Sequence, residues 1–166
     1  MTTRRLPNKT TLRYLLRHRI GQFFLLAMGA GENFLADNAA RIGRIREQGY
    51  KILVIDDDDD FRKSFCFKLK RKYKAHVEEV VSGEAGIEKL SEGNSYDFIF
   101  TDIMMPPGIS GIETYHKLRK LDGHIRIVIM SAYSDSDDWK RAQELADVPL
   151  LHKPIPEEQL ITILGA

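Results

Sequence analysis

From residue 51 onward the chain keeps switching between two hydrophobic periods, and this alternation limits its fold more than any other feature. Short apolar runs rich in β-branched residues fall at 51–55, 97–101, 125–130 and 148–151, and a half-polar run, Ala-His-Val-Glu-Glu-Val-Val, falls at 75–81. Such runs suit strands buried on one or both faces. Between them, apolar residues recur every three or four positions. Phe61, Phe65, Leu69 and Tyr73 mark one helix face, and further helices are expected over 82–90, 111–121, 135–146 and 156–164. Five strands alternating with five helices predict an α/β protein with a five-stranded parallel sheet, doubly wound by right-handed crossovers. Ligands of such sheets bind beyond the carboxyl ends of the strands, so the chemistry is sought there.

The alternation occupies only part of the 166 residues. Residues 1–49 hold nine Lys/Arg against three Asp/Glu, whereas 50–166 hold sixteen against twenty-one. A formal charge of +1 therefore conceals a basic arm on an acidic body, and the chain divides into an extension, 1–49, and a domain, 50–166. In the arm, Leu12, Leu16, Ile20, Phe23 and Ala27 recur at helical spacing before Gly29-Ala30-Gly31, and Leu35, Ala39, Ile42 and Ile45 repeat the pattern up to Gly49. An amphipathic helical extension is expected. Its stripe can pack on its own body, on a second copy in a homodimer through 1–49, in a partner's groove, or on a membrane surface. Its apolar run 23–28 falls far short of the roughly 20 residues of a spanning helix, so no transmembrane segment is expected. A charged start ahead of an apolar stretch also has the outline of a secretory leader, but a helical arm fits the spacing better. The basic residues follow no helix-turn-helix or zinc pattern, so no nucleic-acid partner is expected. The single cysteine, Cys66, forms no internal disulfide and no thiolate metal cluster.

At the expected strand ends stand Asp56 and Asp57, Asp102, Ser131, and Lys153-Pro154. Three carboxylates meeting at one sheet edge repel one another unless a cation neutralises them. Oxygen-only ligands suit Mg²⁺, or Mn²⁺, more than zinc. A hydroxyl and an ammonium opposite the metal would complete a cradle for a phosphoryl group. Each residue alone has a plainer explanation as a helix cap or loop residue. Their conjunction, in order, carries the signal.

Ile-Leu-Val-Ile-Asp-Asp-Asp at 52–58, Asp-Ile-Met-Met-Pro at 102–106, Gly111-Ile-Glu113, Ile-Met-Ser-Ala at 129–132 and Lys153-Pro154 together resemble the receiver domain of bacterial two-component response regulators. The intervals fit as well, with 45 residues from Asp57 to Asp102, 29 on to Ser131 and 22 on to Lys153. The resemblance covers about 50–166 and implies a flavodoxin-like receiver fold, a cytoplasmic setting, and a sensor histidine kinase or phosphotransfer protein as partner. It implies that Asp102 is the phosphoacceptor. Asp57, Asp102 and the backbone carbonyl of Met104 would bind Mg²⁺, with Asp56 assisting through water. Ser131 would take a phosphoryl oxygen, and Lys153 would pair with Asp102 and later with the phosphoryl group. The implied role is signalling, with no catalysis beyond the domain's own phosphotransfer and slow dephosphorylation.

Two departures stand out. Gly111 lies nine positions after Asp102, one more than is usual, which predicts a bulged loop, and Leu150 occupies the usual switch aromatic's place. A rival reading is a haloacid-dehalogenase-like phosphatase using Asp56 and Asp58, but it leaves Asp102 idle and lacks an acidic motif after the lysine's strand. An EF-hand reading of 56–60 fails at Phe61, where the loop needs glycine.

Overall fold

The computed structural model describes residues 43–45, 47–145 and 148–164. The chain divides into two units, with the boundary in sequence between Gln48 and Gly49. The first helical pattern of the arm and most of the second lie outside the described residues. Residues 43–45 and 47–48 are helical, and Gly49 follows at φ +80°, the left-handed backbone that glycine adopts freely at a helix end.

The second unit is the doubly wound sheet. Its strands are β1 (Lys51–Ile55), β2 (His76–Val80), β3 (Phe98–Asp102), β4 (Arg126–Ser131) and β5 (Leu150–His152). Its helices are α1 (Asp59–Tyr73), α2 (Gly83–Ser91), α3 (Gly111–Leu121), α4 (Asp137–Gln143) and α5 (Glu157–Leu164). All neighbouring strands pair in parallel, in the order β2-β1-β3-β4-β5. The order reverses beside β1, so the carboxyl ends of β1 and β3 border the crevice where this fold binds ligands.

Period-two alternation feeds two apolar layers. Ile52, Val54, Phe98, Phe100 and Met130 pack with Phe65, Leu69, Leu160 and Leu164 on one side, while Leu53, Ile55, Ile99 and Ile127 pack with Leu118 on the other. Every residue of β3 is buried, which fixes the height of its last residue, Asp102. Serines start three of the helices. Ser82, Ser110 and Ser136 each accept a backbone N–H of the first turn, from Ala85, Glu113 and Trp139.

Several boundaries differ from expectation. Asp102 and Ser131 are the last residues of their strands and not the first loop residues. The acidic run Asp58–Asp60, expected to form the first turn of this helix, is split: Asp58 caps α1, accepting from Asp60 N and Phe61 N, and Asp59 and Asp60 lie in the first turn. β5 starts at Leu150 and not at 148, because Pro149 has no N–H for the ladder; its carbonyl still accepts from Ile129 N at 3.0 Å. α4 spans only Asp137–Gln143 of the 135–146 expected.

Candidate functional site

The turn after β1 delivers two acids of opposite burial. Asp56 is fully buried, and its N–H reaches Val80 O on β2 at 3.1 Å, whereas Asp57 is exposed. Asp102 ends the buried strand alongside and is 6% exposed. One oxygen from each of these three carboxylates lies within 4.8 Å of the other two. Lys153, just past β5, reaches over this edge. Its ammonium lies 2.7 Å from Asp102 Oδ1 and 2.7 Å from Asp56 Oδ2.

The remaining polar groups of the site are tied down. Asp102 Oδ2 accepts from Met104 N at 3.0 Å, and Asp56 Oδ1 from Asp58 N at 3.1 Å. Ser131 is buried, and its hydroxyl accepts from Tyr133 N at 3.0 Å and lies 3.2 Å from Tyr133 O. The bonds Pro106–Pro107 and Lys153–Pro154 are cis. The lengthened loop after β3 turns on itself through Gly108 N to Met105 O, 3.0 Å, and is held to α2 where Ile109 N donates to Glu84 Oε1 at 2.9 Å. At its end, Gly111 N donates to Ile103 O at 2.8 Å. A Cβ there would stand 2.9 Å from Ile103 Cα and closer still to the Asp102 carbonyl, so the backbone approach requires glycine.

Burial sets the electrostatics. Desolvation pushes Asp56 up to about 6, only partly offset by Lys153. Asp102 is raised for the same reason, again against Lys153. Burial also disfavours the Lys153 ammonium, but the Asp102 and Asp56 carboxylates outweigh it and hold its pKa above the usual lysine value. One ammonium cannot balance three carboxylates. The donor set is all oxygen, and it fits a hard divalent cation that keeps part of its water shell. Among the described residues no other three acidic, histidine or cysteine side chains cluster in this way.

The sequence-derived set of Asp56, Asp57, Asp102, Ser131 and Lys153 thus meets at one sheet edge. Asp58 does not join it, because its side chain is committed to the α1 cap, and Glu157 pairs with Lys72 at 2.5 Å on the surface. Neither is placed for the dehalogenase-like reading. Sequence reasoning missed Arg62, a buried guanidinium on α1 that donates to the Asp56 carbonyl at 2.7 Å and pairs with Asp59 and with Glu79, 3.3 Å away on β2. Its signal was a charged residue beside the apolar stripe of α1, three positions after Asp59. Leu150, where the resemblance leads one to expect an aromatic side chain, packs on the same small cluster of Ile103, Ile129 and Ala142 as Trp139.

The chain belongs to the response regulator receiver domain family, whose model matches residues 52–165. It is 32% identical over 116 residues to the transcriptional regulatory protein FixJ of Azorhizobium caulinodans, covering 68% of this chain and 52% of FixJ. It is 30% identical over 114 residues to the 3',5'-cyclic-nucleotide phosphodiesterase regA of Dictyostelium discoideum, covering 65% of this chain but 14% of regA. A response regulator receiver protein from Sinorhizobium medicae superposes with a TM-score of 0.61 at 28% identity, over 70% of this chain and 91% of that one. The chain spans about half the length of FixJ and a small part of regA. The part of this chain that the family model matches is the receiver domain. No helix among the described residues is long and apolar enough to cross a membrane.

Proposed function

We propose that the domain accepts a phosphoryl group on Asp102 from a phosphohistidine of a sensor kinase or phosphotransfer protein, and that the modified state changes its contacts with partners or with a second copy. The observation that carries this is the Lys153 ammonium, 2.7 Å from the carboxylates of both Asp102 and Asp56 with Asp57 beside them. It opposes the desolvation that raises the Asp102 carboxyl and so favours the ionised form that a nucleophile needs. An Asp102 oxygen attacks phosphorus, the P–N bond to the donor imidazole breaks, and that nitrogen leaves with the bonding electron pair and takes up a proton. Asp57, Asp102 and the Met104 carbonyl would hold Mg²⁺ or Mn²⁺, with Asp56 acting through water. The cation supplies charge neutralisation for the phosphoryl oxygens.

Lys153 then exchanges its Asp102 contact for a phosphoryl oxygen. Ser131 exchanges its bond to Tyr133 N for another, which draws on the loop between β4 and α4. With Leu150 in place of a rotating aromatic ring, this loop and the Trp139 side of α4 carry the change onward. Residues 1–49 would form a separate arm that mediates association with a second copy or a neighbouring chain. The experiment is incubation with acetyl phosphate and Mg²⁺, borohydride reduction of the acyl phosphate, and peptide mapping. Homoserine at position 102 is expected. Modification at another residue, or none, refutes the assignment.

A further inference from the structure

The contact left unused by this chemistry is the one beneath Lys153. The centroid of the Phe61 ring lies 4.3 Å from the Lys153 ammonium, within the range of a cation–π contact. The ring is itself packed against another ring. It stacks on Phe65 with centroids 5.5 Å apart and planes at 18°, and Phe65 meets Phe100 edge-on at 5.3 Å and 74°. Phe100 lies on β3, two residues before Asp102. An aromatic column thus runs from the strand that carries Asp102 to the underside of the ammonium that faces Asp102.

The helical periodicity of α1 assigns Phe61 to the core stripe. It is only partly buried, however, and it covers a side chain whose own exposure is 10%. Leu or Ile would cover the stem of Lys153 equally well. Only an aromatic face attracts the charged end while leaving the carboxylate and phosphoryl oxygens to compete for its N–H donors. We infer that Phe61 is a positioning residue, an aromatic floor that holds the Lys153 ammonium over Asp102 and Asp56 and keeps it there as the phosphoryl group arrives. The kinetic part of this inference rests on the proposed phosphotransfer. The attraction itself does not.

The test replaces Phe61 with phenylalanines carrying one, two and three ring fluorines, which drain the ring face of negative charge at nearly constant shape. Melting temperature is followed in the full chain and in the Lys153→Met background. A stepwise fall with fluorination that disappears when Lys153 is absent is expected, because a merely structural ring has no reason to respond to Lys153. Initial rates of phosphoryl uptake from acetyl phosphate are expected to fall along the same series, reaching about two- to fivefold in Phe61→Leu, with rescue in Phe61→Tyr. Equal melting temperatures along the series, or the same slope with and without Lys153, overturn the inference. If the wild type takes up no phosphoryl group, the proposed function fails, and the melting series still decides the role of Phe61.

Discussion

Replacing Lys153 by Met removes the ammonium and keeps the stem, and it exposes what the site costs the fold. Two carboxylate contacts at 2.7 Å are lost. At the effective dielectric suited to protein sites, each carries a gross attraction of about 6 kcal/mol. Relief of the ammonium's own desolvation returns several kcal/mol, and the net loss for removing one partner of a buried pair is about 3–5 kcal/mol. In a domain of this size that lowers the melting temperature by on the order of 10–20 °C. The sign of the pH dependence follows from Asp56. Its pKa, already about 6 in the fold, lies above its unfolded value. A carboxyl raised in this way favours the fold only while protonated, and without Lys153 it rises further. The gap between wild type and Lys153→Met therefore narrows at about pH 5 and widens at about pH 8. Mg²⁺ stabilises the variant more than the wild type, since a cation then neutralises carboxylates that have no ammonium. Thermal unfolding at both pH values, with Mg²⁺ or with chelator, measures all of this. A pH-independent gap, or equal Mg²⁺ stabilisation of both proteins, refutes the reasoning.

Gly111→Ala brings a methyl group to 2.8 Å from the Asp102 carbonyl carbon, a backbone atom that cannot yield, and is expected to cost about 2–3 kcal/mol in chemical denaturation; an unchanged midpoint would contradict the close approach. Cys66 is buried, and burial pushes its thiol up to about 12. Its thiolate is then about a thousandfold scarcer than at an ordinary thiol, so native protein resists iodoacetamide until urea unfolds it, and rapid native labelling would show the thiol to be open. Met104 and Tyr133, each two positions beyond a site residue, Asp102 and Ser131, are exposed, and neither carries a carboxylate or amide that would orient a water toward Asp102 once it carried the proposed phosphoryl group. Slow loss of the phosphoryl group is expected, with faster decay in Met104→Asn combined with Tyr133→Glu, and equal decay would remove both from control of the lifetime.

The strand ends were readable because the chemistry changes there, from apolar or hydroxyl side chains to carboxylates that stay buried. Ile52–Ile55 of β1 and Phe98–Phe100 of β3 are apolar, so the acids that follow, Asp56 at once and Asp102 after Thr101, stand out against their strands. Period-two and period-3.6 patterning gave the five-stranded order of elements, and the fold's topology then brought Asp56, Asp57, Asp102, Ser131 and Lys153 together without further information. What stayed hidden depends on side chains that serve two purposes. Phe61 reads as a core residue of α1 and also touches Lys153, 92 positions away in sequence. Arg62 sits beside the apolar stripe of α1 but ties the turn after β1 to β2. Glu84 reads as a first-turn acid of α2, and its acceptance of the Ile109 N–H depends on a loop lengthened by one residue. The three-residue edge strand β5 was shifted because a proline lies in its apolar run.

The most direct test of the account is intact-mass measurement of wild type and Asp102→Asn after exposure to acetyl phosphate, with Mg²⁺ or with chelator. The account predicts one added phosphoryl group in the wild type with Mg²⁺, and none in Asp102→Asn or without the metal. A phosphoryl group retained by Asp102→Asn, or a wild type left unmodified with Mg²⁺ present, would contradict it.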